Sequence, residues 1–206
     1  MVEVSSIEWL CAEAASSIAR VEKYLIEASV LDEKDHDKTS RGVDIKNAQF
    51  QFDGHDGNAF KLNVPEFHVA PGEVVAVVGR VGAGKTALLQ ALMGHMPCRS
   101  GQFHVGGQIA YVPQTAWIQN LSIRENILFG RPYNEQKYRD VVHACALEPD
   151  FQMLPQGDSS MGGLRGLNLS GGQRQRVNVA RAAYFGADTI LLDNALSCVP
   201  LQQFHA

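Results

Sequence analysis

The chain has 206 residues, which suffices for one domain with a core and a short appendage. Its formal net charge is −4 and its basic residues are scattered, so the composition gives no support to a nucleic-acid partner. The four cysteines form no Cys-x-x-Cys pair, and we therefore expect neither a zinc site nor a disulfide framework, in a reducing, cytosolic environment.

The start of the chain lacks the pattern of a secretory signal. Glu3 and Glu8 stand where such a signal carries basic residues. No apolar run approaches the roughly 20 residues that cross a bilayer. We therefore expect no transmembrane segment in these 206 residues.

An amphipathic helix is predicted near the start. Apolar residues recur at helical spacing from Ile7 to Leu25, with charged residues on the other faces. The apolar stripe fits a packing helix of the same domain and a docking helix for another domain equally well. A charged, turn-rich break at residues 32–42 follows. We divide the chain into residues 1–40, an amphipathic linker helix plus a charged linker, and residues 41–206, the main domain.

Short alternating runs then predict an antiparallel β segment. They cover residues 43–45, 50–52, 60–62 and 67–69, with turn residues at 53–58. The apolar run at residues 74–78 predicts one more strand, which leads directly into a glycine-rich loop. A run of helix-forming residues from Ala87 to Met93 follows that loop.

The loop has the spacing of a P-loop, with a glycine, four residues and then Gly-Lys-Thr. Three glycines are predicted to adopt φ values closed to other residues, so that backbone N–H groups converge on phosphate oxygens. The lysine would reach the β- and γ-phosphates, and the threonine hydroxyl would take one position around Mg²⁺. The alternative is a plain glycine turn, but strand, loop and helix agree with the motif. The loop residues are Gly79, Arg80, Val81, Gly82, Ala83, Gly84, Lys85 and Thr86.

The second half of the chain is predicted to alternate helices and strands. Strands are expected at residues 102–105 and 108–112, and helix at 121–147, opened by a capping box of Ser122 and Glu125. Residues 132–134 break this helix, and Asn134 caps the next one. A helix from Ser170 to Tyr184 precedes a buried strand at 189–192. The fold class is α/β, with an antiparallel β subdomain, a parallel core sheet and a helical subdomain at about 118–184.

The sequence Leu169-Ser170-Gly171-Gly172-Gln173 resembles the signature of ATP-binding cassettes, the nucleotide-binding domains of ABC transporters. By its chemistry alone, this turn either caps a helix or forms a second anion site of backbone amides and a hydroxyl. The resemblance covers residues 41–199 and extends to the helix before them. It is closest to the first cassette of the multidrug-resistance-associated, or C, subfamily, on residues 115–120, 123–130 and 165–170.

The resemblance implies a P-loop NTPase fold with ATP and Mg²⁺ as cofactors. Phe52 would stack on adenine, although an alternating strand also buries a phenylalanine in a core. Gln114 would contact Mg²⁺ and the attacking water, facing the membrane domain. Asp193 would hold Mg²⁺ through water, the alternative being a turn residue at a strand end. The implied partners are a second cassette, paired head to tail, and transmembrane domains at the cytoplasmic face of a membrane.

Three departures from the family pattern concern catalysis. Asn194 stands where a hydrolysing cassette has glutamate, and an amide cannot accept a proton from water. Pro200 interrupts the D-loop, and His205 lies too close to Asp193 to be the switch histidine. The family's C-terminal elements would be missing, which predicts exposed apolar surface and a marginal fold.

These departures predict a domain that binds Mg-ATP, hydrolyses it poorly or not at all, and offers Ser170 and its neighbours to a partner's ATP. Whether it is an enzyme stays open. The alternatives are a soluble ABC ATPase without a membrane partner and an inactive truncated product.

Overall fold

The computed structural model describes residues 14–18, 22, 41–52, 60–162 and 169–194. The chain divides into two units, Met1–His36 and Asp37–Ala206. In the first unit, residues 14–18 are helical and exposed, and most of the predicted amphipathic helix lies outside the described residues. Among the described residues, no helix has both the length and the apolar character that a membrane crossing requires.

The second unit begins with a three-stranded antiparallel sheet. Strands β1 (Val43–Gln51), β2 (Lys61–Val69) and β3 (Cys98–Val105) lie in the order β2-β1-β3. The antiparallel prediction is confirmed, but each pair of short runs forms one continuous strand. Strand β3 also begins four residues before the predicted run. The predicted turn at 53–58 lies outside the described residues.

A two-stranded parallel sheet follows. Strands β4 (Ile109–Val112) and β5 (Thr189–Leu192) pair in register, with Val112 opposite Leu192. Parallel strands end at the same edge of a sheet, so Gln114 and Asp193, which follow them, leave the sheet at a common edge. The backbone N–H of Asp193 donates to the Val112 carbonyl at 3.0 Å, which continues the pairing by one residue.

The strand predicted at residues 74–78 does not form. This segment pairs with no strand in the described part of the chain. Val74 and Val78 are 85% and 88% exposed. A strand needs a neighbour for its backbone N–H and C=O groups, which an apolar composition cannot supply by itself. The apolar side chains of this segment are therefore exposed.

The helices that open at Ser122 and Asn134 begin where the sequence predicts their caps. Helix α1 (Lys85–Leu92) follows the glycine loop, and α2 (Ile123–Leu128) opens with the predicted capping box. In that box the Glu125 N–H donates to the Ser122 hydroxyl, and the Ser122 N–H donates to the Glu125 carboxylate. The Asn134 side chain accepts from the N–H of Lys137 and caps α3 (Glu135–Ala144).

The remaining helices are α4 (Glu148–Gln152), a short 3₁₀ turn (Gly157–Ser159) and α5 (Gly171–Phe185). Helix α5 starts at Ser170 as predicted and ends at Gly186, whose φ of 75° only glycine adopts at low cost.

Two buried apolar clusters hold these elements together. The first joins the three-stranded sheet to α1 and includes Leu191 of β5. The second packs α2 and α3 against α5 and includes Val112 of β4. The parallel sheet thus contributes to both clusters and connects the loop-bearing helix α1 with the signature-bearing helix α5.

Candidate functional site

The glycine loop has the predicted left-handed backbone conformation at two positions. Gly82 and Gly84 have φ values of 80° and 91°, in the left-handed region that favours glycine. Gly79 is not among the residues with positive φ, so the prediction is wrong for this residue. The sharp reversals of the loop occur at 82 and 84, immediately before α1.

Lys85 folds back over the loop. Its ammonium donates to the carbonyl oxygens of Gly79 and Arg80, each at 2.9 Å. The charge therefore sits at the glycine loop and at the N-terminus of α1, where a phosphate group would find both a cation and helix amides.

The threonine of the loop and the aspartate after β5 are in direct contact. Thr86 Oγ1 donates to Oδ2 of Asp193 at 3.0 Å and lies 3.3 Å from Oδ1. The Tyr111 hydroxyl of β4 also donates to Oδ2, at 3.3 Å. Burial, followed by the charge of Asp193, raises the pKa of Tyr111. The sequence predicted the first two groups but not the tyrosine.

These groups fit a magnesium site of the kind found with nucleotides. Hydroxyl, carboxylate and amide oxygens are ligands that Mg²⁺ accepts, and such sites use one or two carboxylates completed by phosphates and water. No cluster of three or more His, Cys, Asp or Glu side chains occurs in the described ranges. Thr86 and Asp193 would hold the ion, with Gln114 at the same sheet edge.

Phe52 lies partly in the core. Its N–H donates to the Phe60 carbonyl at 3.2 Å, and its ring packs against the first apolar cluster. This burial matches the core alternative, and adenine stacking stays a prediction. Phe60 is 46% exposed, and a Cβ built on Gly84 would lie 3.8 Å from its ring. No pattern in the sequence singles out Phe60.

Asn194 follows Asp193 in a left-handed conformation, with φ of 55°, and is exposed. Asparagine tolerates this region better than most residues. Pro200 and His205 lie outside the described residues, and the predicted departures in the D-loop and tail stay predictions.

The signature residues form a helix cap. The Gln173 N–H donates to the Ser170 hydroxyl at 3.2 Å, and the Ser170 N–H donates to the Gln173 side chain at 2.8 Å. Leu169 is buried, whereas a Cβ built on Gly171 would meet no atom of the described residues within 4 Å. The cap interpretation is confirmed, and the open space beside Gly171 leaves room for a ligand. The anion site stays a prediction.

A buried carboxylate that sequence reasoning missed anchors this cap. Asp150 of α4 has a side chain only 6% exposed. It accepts from Nε and Nη2 of Arg176 at 2.7 and 2.8 Å, and from the Gln173 side chain at 3.3 Å. The contact spans 26 residues, and no local pattern in the sequence points to it.

Helix α5 also forms hydrogen bonds with residues 113–126, which we call the Gln114 segment. The Gln175 amide donates to the Pro113 carbonyl at 2.9 Å. Arg181 donates to the carbonyls of Trp117 and Asn126 at 3.0 and 2.8 Å, and its guanidinium lies 5.0 Å from the Phe129 ring. Burial lowers the pKa of Arg181 to about 10.

Comparisons with known proteins agree with this geometry. A model of the ABC transporter family matches residues 62–197. The chain is 45% identical over 191 residues to ATP-binding cassette sub-family C member 2 of Mus musculus. It is 43% identical over 188 residues to sub-family C member 3 of Homo sapiens, and 42% identical over 194 residues to multidrug resistance protein mrp-7 of Caenorhabditis elegans.

Each of these matches covers 91% of the chain but only 12% or 13% of the relative. The chain therefore spans about an eighth of the length of these proteins. The resemblance seen in the P-loop and signature is confirmed. Both the matched residues and the contact between Thr86 and Asp193 lead to one conclusion: the chain belongs to the ABC transporter family, as an ATP-binding domain similar to those of the subfamily C proteins.

Proposed function

We propose that this domain binds Mg-ATP through its own P-loop, hydrolyses it slowly or not at all, and offers its signature motif to ATP held by a second cassette. It would do so at the cytoplasmic face of a membrane, attached to the transmembrane domains of an exporter. The observation that carries the proposal is the contact of Thr86 with Asp193, which unites the loop and the end of β5 in one site.

Binding would use the charges and amides at the start of α1. Lys85 supplies a cation at the loop, and the left-handed turns at Gly82 and Gly84 shape the backbone around a phosphate. When bound, Mg²⁺ would neutralise phosphate charge beside Thr86 and Asp193. These groups bind and orient a nucleotide without any further catalytic residue.

Removal of the lysine tests the binding site. Lys85→Ala should abolish retention of radiolabelled ATP by the purified chain, because the cation at the phosphates is lost. Lys61→Ala is the matched control, since Lys61 is exposed on β2. Equal retention by wild type and Lys85→Ala would reject the P-loop site.

Slow hydrolysis is proposed because Asn194 cannot act as a general base. Asn194→Glu should raise ATP turnover in a mixture with a competent second cassette, on the order of 10²-fold, the lower range for a general base. Asn194→Gln should give no gain, because it adds length without a carboxylate. A wild-type turnover that depends on Lys85 and equals that of Asn194→Glu would contradict the proposal.

The role of the signature is tested through the partner's site. Ser170→Arg should lower the ATPase activity of a competent second cassette mixed with this chain, since the new side chain would fill the space in front of α5. Ser159→Arg, on the 3₁₀ turn, should have no effect. Unchanged activity with Ser170→Arg would contradict the proposed role of the signature motif at the partner's ATP site.

An exposed aromatic pair supports contact with a membrane domain. Trp117 and Phe129 are 54% and 48% exposed, and their ring centroids are 6.1 Å apart. Arg181 holds both rings beside the segment that contains Gln114. Exposed apolar patches of this kind mark interaction sites. In a complex with transmembrane domains, Phe129→Asp should weaken co-purification, and unchanged recovery would contradict this placement.

A further inference from the structure

The Tyr111 hydroxyl is a polar group at the proposed magnesium site that has no assigned role. Its hydroxyl lies 3.3 Å from Oδ2 of Asp193, within hydrogen-bond reach. The contact joins two strands across 82 residues of sequence. A tyrosine in a core strand usually needs a partner for its hydroxyl, and here that partner is the carboxylate itself.

The position of Tyr111 follows from the alternation of side chains on β4. Ile109 and Tyr111 pack against the first apolar cluster, on the side of α1, whereas Ala110 and Val112 pack against the second. Tyr111 lies opposite Leu191 in the parallel pair, and Leu191 belongs to the same first cluster. The ring is thus fixed by packing on the face where the first turn of α1, with Thr86, lies.

The two hydroxyls act differently on the carboxylate. Thr86 Oγ1 is 3.0 Å from Oδ2 and 3.3 Å from Oδ1, so it barely distinguishes the two oxygens. The Tyr111 hydroxyl is in hydrogen-bond reach of Oδ2. Both hydroxyls thus contact Oδ2, and the hydrogen bond from Tyr111 adds to that of Thr86 in favouring one rotation of the Asp193 carboxylate.

We propose that Tyr111 is a positioning residue for Mg²⁺, which holds Oδ2 of Asp193 so that Oδ1 faces the ion or its bound water. The proposal rests on the proposed function, because it requires that the domain binds Mg-ATP. Groups that orient a metal ligand without touching the metal typically change metal affinity by about 10–100-fold when they are removed.

The test is a Mg²⁺ titration of ATP retention by the full 206-residue chain. Tyr111→Phe keeps the ring and removes only the hydroxyl. It should raise the Mg²⁺ concentration for half-maximal retention by about tenfold. Retention of ATP in EDTA should be unchanged, because the phosphate contacts of the loop are intact. Thermal unfolding without nucleotide establishes that the variant is folded.

Tyr138→Phe is the matched control. It also removes a tyrosine hydroxyl bonded to an aspartate, Asp158 at 2.9 Å, but within the second apolar cluster. Its Mg²⁺ midpoint should equal that of wild type. An unshifted midpoint for Tyr111→Phe would overturn the proposal, and so would an equal loss of retention with Mg²⁺ and in EDTA. Equal ATP retention by wild type and Lys85→Ala would instead reject the ATP site as a whole.

Discussion

Two regions of this domain differ in how they are held. The loop side is the segment at residues 73–80, and the signature side is helix α5 with the elements bonded to it. The segment at residues 73–80 is exposed throughout and pairs with no strand in the described part of the chain. Helix α5, by contrast, is tied to α4 by the ion pair of Asp150 and Arg176, and to the Gln114 segment by Gln175 and Arg181. The difference indicates that the motif proposed to act on a partner's ATP is the more rigidly built.

The largest expected effect is the loss of the buried carboxylate. Asp150→Ala leaves Arg176 without its bidentate partner, and we expect a loss of about 3–5 kcal/mol in the free energy of unfolding. Urea denaturation measures it. Asp140→Ala on α3, an exposed site, should cost under about 0.5 kcal/mol. Similar costs for both variants would show that the signature side is not anchored as described.

The next effect concerns the link between α5 and the Gln114 segment. Arg181→Lys keeps a charge but loses the planar fork that reaches both Trp117 and Asn126, which should cost about 2 kcal/mol. Amide hydrogen exchange at residues 117–126 should become faster, whereas Arg139→Lys, at an exposed position of α3, should leave it unchanged. Unaltered exchange in Arg181→Lys would show that Arg181 does not link α5 to residues 117–126.

The cap of the signature helix should have a smaller effect. Ser170→Ala removes the acceptor for the Gln173 N–H and should cost about 1 kcal/mol of stability. Ser122→Ala removes the same kind of cap from α2, and the two losses should be equal within error in urea denaturation. A negligible loss at Ser170 would mean that this serine contributes nothing to the stability of the helix.

The smallest effect is expected on the loop side. Val74→Thr and Val78→Thr should each change the free energy of unfolding by less than about 0.5 kcal/mol, because both side chains are already exposed. Val105→Thr buries a hydroxyl in the first cluster and should cost about 1–3 kcal/mol. Equal costs at the three positions would show that residues 74–78 pack like a strand.

Local chemistry made much of this structure predictable. The capping box at Ser122, the cap at Asn134 and the helix start at Ser170 depend on residues within one turn, and all three are confirmed. The strand at 74–78 failed because pairing depends on a neighbour that composition does not reveal. Asp150 and Tyr111 were missed for a related reason, since their partners lie 26 and 82 residues away.

The left-handed conformation of Asn194 affects which substitutions this position accepts. Glycine, asparagine and aspartate occupy such a conformation readily, whereas other side chains pay roughly 1–2 kcal/mol. Replacement of Asn194 by glutamate therefore adds a general base but also introduces backbone strain at the same residue. Part of the gain from a base at this position would therefore be offset by backbone strain, and a second substitution that relaxes the turn after β5 would recover it.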